Sequence, residues 1–109
     1  MKLNNKISIY VPSTINVNQK TDNTKQVNNT CAFLSGLYGG CTSFNASGCW
    51  TDKTGKLVKE NITIIYAYCT SLQLIKSKKA IINYVHNLCN EMRQECISLE
   101  INNKLYFID

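Results

Sequence analysis

The chain has 109 residues, 44% hydrophobic and 17% charged, with a net charge of +5. That length holds one core and not two, so a single domain spanning residues 1–109 is expected, and the composition excludes wholesale disorder. Arg93 is the only arginine among twelve basic residues, so bidentate recognition of phosphate and guanine is nearly absent, and nucleic acid fits as a partner by sign of charge but without specificity.

From Lys6 to Val11 the residues alternate, Ile7, Ile9 and Val11 against Lys6, Ser8 and Tyr10, which is the period of a half-buried strand. Pro12 ends it. The polar segment Ser13 to Asn23 is long for a connection in a small domain. Its hydroxyls and amides at Ser13, Thr14, Asn16 and Asn18 are candidates to hold a polar small molecule; a solvated crossover is the plainer reading.

Asp22 or Asn23 can cap a first helix, along which Val27, Cys31, Leu34 and Tyr38 trace one apolar face. Gly39 and Gly40 stop it. With Thr42 this glycine pair superficially resembles a phosphate loop, but it follows a helix instead of preceding one, so a C-cap is the better account. Cys41 to Trp50 reads as a strand, Thr51 to Lys56 as a turn, and Leu57 to Cys69 as a strand apolar on both faces, expected to be covered on both sides. Trp50, Glu60, Tyr66 and Tyr68 are candidates for an aromatic surface that stacks a base or a partner side chain. The default for such a tryptophan is burial in the core.

Ser71 offers a cap for a second helix, in which Leu74, Lys78, Ile81, Val85, Leu88, Met92 and Cys96 form a stripe broken only by the lysine. Lys76, Lys79 and Arg93 lie off it, able to meet an acidic partner or simply solvated. His86 has no partner at catalytic spacing and reads as a solvent-facing or boundary residue. Ile97 to Ile101 and Leu105 with Phe107 form a hairpin around Asn102-Asn103. The order β-α-β-β-α-β-β predicts an α+β fold, a ferredoxin-like two-layer sandwich with two helices on one face of a mostly antiparallel sheet.

Six cysteines without an export signal are expected as free, mostly buried thiols, with three disulfides as the alternative. Zinc-ligand spacing is absent, so neither metal nor cofactor is expected. No run reaches the roughly 18 apolar residues of a membrane span. The protein is expected in the cytoplasm of a bacterial host.

The segments Ile9-Tyr10-Val11-Pro12-Ser13-Thr14, Gly39-Gly40 with Thr42, Gly48 with Trp50, and Gly55-Lys56-Leu57-Val58 with Glu60 resemble small proteins of phages and conjugative elements of low-GC Firmicutes. The Gly-x-Trp and Gly-x-x-x-x-Glu pattern is also similar to a ferredoxin-like domain family of unknown function. This resemblance implies a phage or mobile-element accessory protein that counters host defence without catalysis, by binding a nuclease complex or sequestering a nucleotide signal. Its partner would be a host defence protein or that nucleotide, with self-association into a homo-oligomer left open. The missing catalytic dyad agrees with a binder. The alternatives are a small enzyme acting on a nucleotide or phosphorylated metabolite, with His86 or Glu60 as acid or base, and a dimeric regulatory subunit.

Overall fold

The computed structural model describes residues 1–16 and 19–109. In chain order the elements are β1 Asn5–Pro12, β2 Thr14–Ile15, β3 Gln19–Lys20, α1 Thr24–Tyr38, β4 Thr42–Thr51, β5 Leu57–Cys69, α2 Ser71–Glu91, β6 Ile97–Ile101 and β7 Lys104–Ile108. Five strands form one antiparallel sheet in the order β4-β5-β1-β6-β7, and β2 pairs with β3 in a small second sheet. This is the expected ferredoxin-like sandwich with a hairpin strand added at one edge.

The register explains which face is covered. Ile7 opposes Ala67 and Ile101, and Ile9 opposes Ile65 and Leu99, so these side chains project to the same side. On that side they meet Leu34 of α1 and Ile81, Val85 and Leu88 of α2 in one buried cluster. Burying each such side chain contributes about 1.5–3 kcal/mol. The opposite face carries Lys6, Tyr10, Phe44, Trp50, Ile62, Ile64, Tyr66, Tyr68 and Phe107, and among the described residues no helix covers it. Strand β5 was expected to be covered on both sides; its second apolar set instead stands on the open face, where Tyr68 is 47% exposed.

Local signals act as their chemistry requires, with two differences. Gly39 ends α1 at φ 88° and its N–H reaches the Ser35 carbonyl at 2.7 Å, a left-handed cap that a side chain would strain. At the other end, Asn23 makes no capping bond, and Asp22 accepts from the Thr24 amide instead. Helix α2 is capped by Thr70 and not by Ser71: the Thr70 hydroxyl accepts from the Gln73 amide while the Gln73 side chain accepts from the Thr70 amide, a reciprocal box. Thr70→Ala is expected to cost about 1 kcal/mol, read as a lower thermal midpoint. An unchanged midpoint would mean the box is not used in solution.

All six cysteines are free thiols. Only Cys69 and Cys89 are fully buried; Cys49 and Cys96 are exposed, because β4 and the approach to β6 run beyond the helices. Among the described residues no helix is long and apolar enough to cross a membrane.

Candidate functional site

The proline-led segment is pinned against the sheet end. Ser13 Oγ donates to the Asn61 carbonyl at 2.5 Å, the Thr21 N–H donates to the Ser13 carbonyl, and Asn23 Nδ2 donates to the Pro12 carbonyl. Gln94, just after α2, donates through Nε2 to the Thr14 carbonyl at 2.8 Å. These bonds hold β2 and β3 beside the stretch of β5 that runs on past the end of β1, so a polar segment becomes a wall. Within the crossover, Thr14–Ile15 therefore pairs with Gln19–Lys20 as a small two-stranded sheet, which its sequence did not announce.

Two cavities meet there. One, of about 390 Å³, is lined by Ser13, Thr14, Lys20, Thr21, Ser47 and Lys59 together with Val58, Glu60 and Asn61. The other, of about 520 Å³, crosses the open face from β4 to β7, with Tyr10, Trp50, Glu60, Ile62 and Phe107 among its walls. Glu60 belongs to both. Burial pushes its carboxyl above the ordinary glutamate range. Gly48 stands opposite Glu60 in the register, and a side-chain carbon added there would come within 3.8 Å of Glu60 Cγ.

Tyr10 forms the neighbouring wall, its hydroxyl donating to Glu100 Oε1 at 3.3 Å. Burial first, and then the Glu100 carboxylate, push its phenol up. Trp50 is 46% exposed, which overturns the expectation of a core tryptophan. It sits on edge strand β4 opposite Val58, on the sheet face turned away from the two helices. The aromatic grouping expected for it also divides. Tyr66 lies at the other end of β5, packed edge-on against Phe44 and Tyr68 under the Lys6 ammonium.

Of the residues singled out in the sequence, Ser13, Thr14, Trp50 and Glu60 come together at the two cavities. Thr42 does not, since it pairs with Tyr66 at the far end. Asn16 is exposed beside the hairpin with φ 53°, its N–H donating to the Met92 carbonyl. Asn18 lies outside the described residues. Lys76 and Lys79 are exposed on α2, in the layer away from the open face, and Arg93 is exposed just after that helix. The exposed His86 is likewise remote. Tyr10, Lys20, Lys59 and Phe107 were missed. For Tyr10 and Phe107 the signal was present, a large aromatic on the face of its strand opposite the buried set. The two lysines had none, because only the fold makes them neighbours. Among the described residues no group of three or more acidic, histidine or cysteine side chains is placed to hold a metal ion.

No protein-family model matches the chain, and no curated protein sequence does. Solved structures do match. The chain is similar to a phage SAM lyase in complex with S-methyl-5′-thioadenosine, with a TM-score of 0.70 at 17% identity over 99% of this chain and 91% of the other. It is also similar to a phage SAM lyase in the apo state, with a TM-score of 0.62 at 22% identity over 95% of this chain and 87% of the other. The structural neighbours are thus phage proteins, in line with the resemblance noted from sequence.

They also correct the functional expectation. A non-catalytic binder that captures a host nuclease complex or sequesters a nucleotide signal does not agree with neighbours that are enzymes, one of which holds a small nucleoside thioether. The expectation that the chain is not an enzyme falls with it, as does the host defence complex as partner. Among the earlier alternatives, the small enzyme agrees best. The physical reason for the error is plain: the absence of a Ser-His or Cys-His dyad argues against an activated serine or cysteine nucleophile, not against catalysis as such.

Proposed function

We propose that this protein is a lyase that cleaves S-adenosylmethionine and releases S-methyl-5′-thioadenosine. The observation that carries the reading is the fold shared with a product-bound phage SAM lyase along nearly the whole of both chains. The site supports it chemically. The cavity with Tyr10, Trp50 and Phe107 offers apolar and aromatic surface to a nucleoside, and Glu60 sets a carboxylate where a cationic sulfonium can be attracted.

Such a cleavage needs little from the protein. The substrate's own carboxylate oxygen attacks the methylene carbon bonded to sulfur in the aminobutyryl arm; that C–S bond breaks and its electron pair remains on sulfur. The products are a neutral thioether and a five-membered lactone, and no water, proton or added reactant enters the balance. A chain without a catalytic dyad can accelerate this by holding the reacting atoms together, since intramolecular orientation supplies about 7–11 kcal/mol in favourable cases. Removing the methyl donor of the host cell suits an accessory protein of a phage or mobile element acting in the cytoplasm.

The open face bears on assembly. Phe44, Tyr68, Leu105 and Phe107 are each about half exposed or more on or beside one sheet face, a patch of the kind that soluble proteins cover with a partner. A second copy of the chain laid on that face would cover it and shield the cavities from water.

The test is direct. Purified protein incubated with S-adenosylmethionine alone is expected to release S-methyl-5′-thioadenosine in equal amount to the substrate consumed, followed by liquid chromatography, and to elute as a homo-oligomer by light scattering. Substrate persisting unchanged through repeated preparations would overturn the assignment.

A further inference from the structure

The two cavities differ in character in a way that the cleavage reaction alone does not require. The cavity beside the β2–β3 pair is lined by Lys20 and Lys59 with the hydroxyls of Ser13, Thr14, Thr21 and Ser47; among the described residues its sole acidic group is Glu60. The cavity on the open face is largely aromatic and apolar, and among the described residues that line it none is basic and Glu60 is again the sole charged group. One cavity is therefore net positive and rich in hydroxyl groups, the other apolar and net negative, and Glu60 lines both.

We infer that the lysine cavity is a subsite for the α-carboxylate of the substrate's amino-acid arm, with Lys20 and Lys59 as the residues that set specificity for it. This rests on the lyase reading above. The matching ligand carries a carboxylate at one end, a cation in the middle and a planar nucleoside at the other, in the order positive wall, Glu60, aromatic wall. A carboxylate oxygen held by a lysine ammonium leaves its second oxygen to attack, so the subsite would orient the nucleophile as well as bind it. Thr14 is buried, and its carbonyl and hydroxyl both receive Gln94 Nε2, which leaves the hydroxyl proton to be donated elsewhere. The product S-methyl-5′-thioadenosine has no carboxylate and would leave this subsite empty.

That difference provides the experiment. Lys20→Gln, Lys59→Gln and the double variant would be titrated separately with S-adenosylmethionine and with S-methyl-5′-thioadenosine, using Trp50 fluorescence, with circular dichroism as the folding control. Both lysines are exposed, so the fold is expected to tolerate the changes. The double variant is expected to bind S-adenosylmethionine about 10- to 100-fold more weakly, the loss typical of hydrogen bonds to a charged group, while its affinity for the thioether stays within about twofold. Equal weakening of both ligands, or unchanged affinity for S-adenosylmethionine, would overturn the subsite while leaving the lyase reading intact, provided the wild-type protein still turns over. A wild-type protein that binds neither ligand would overturn both.

Discussion

Ile9→Ala is expected to lower the free energy of unfolding by about 2–5 kcal/mol, the usual cost of a buried large-to-small change. Ile9 is fully buried on the central strand β1, flanked by Ile65 on one side and Leu99 on the other, and sits under the helical layer. Its truncation removes both the transfer free energy of the lost carbons and the contacts that lined them, in a sheet with no room to collapse. Against the roughly 5–15 kcal/mol that domains of this kind possess, the loss is a large share. Urea titration should show the midpoint falling with an unchanged slope. The control is Ile75→Ala on α2, where the side chain is 74% exposed and the expected change stays within about 0.5 kcal/mol. Similar losses at the two positions would contradict the two-layer arrangement, because only that arrangement makes one isoleucine central and the other dispensable.

The contrast between these isoleucines also indicates what could be read before the fold was known. Alternation along Lys6 to Val11 placed Ile7, Ile9 and Val11 on one face, and all three are buried. The Asn102-Asn103 turn was legible because a two-residue hairpin needs positive φ, which Asn102 adopts at 58°. Trp50 was misjudged for the opposite reason. Its burial depends on which face of β4 the helices cover, and pattern within the strand carries no information on that. Strand β5 taught the same lesson, since its second apolar set predicted a cover that the chain itself does not supply. The β2–β3 hairpin escaped notice because each strand has only two residues, too few for a period to show. Glu60 was legible as a candidate but not as the boundary of two cavities. Lys20 and Lys59 are separated by 39 positions and become neighbours only when β5 runs past Pro12 beside the hairpin.

Glu60→Gln is expected to separate function from stability. If the protein is the lyase proposed above, the amide keeps the shape but loses the charge that would face the sulfonium, and kcat/KM should fall on the order of 10- to 100-fold, the worth of one charge-assisted contact. Burial raises the carboxyl of Glu60, so in the wild-type protein the same loss should set in on the acid side at a higher pH than for an ordinary carboxylate. The stability effect has the opposite sign. Because the native state favours the protonated form, the folded chain binds more protons than the unfolded one between the ordinary glutamate pKa and the raised value. Stability therefore decreases as pH rises through that window, and at neutral pH the ionised Glu60 carries a desolvation penalty that glutamine lacks. The variant should melt at or above the wild-type temperature while turning over far more slowly, as expected where a binding site holds a strained charge. Release of S-methyl-5′-thioadenosine measured against pH, with melting curves on the same samples, decides the matter. A variant that loses activity and melting temperature together would reduce Glu60 to a structural residue, and one that keeps full activity would remove it from the site.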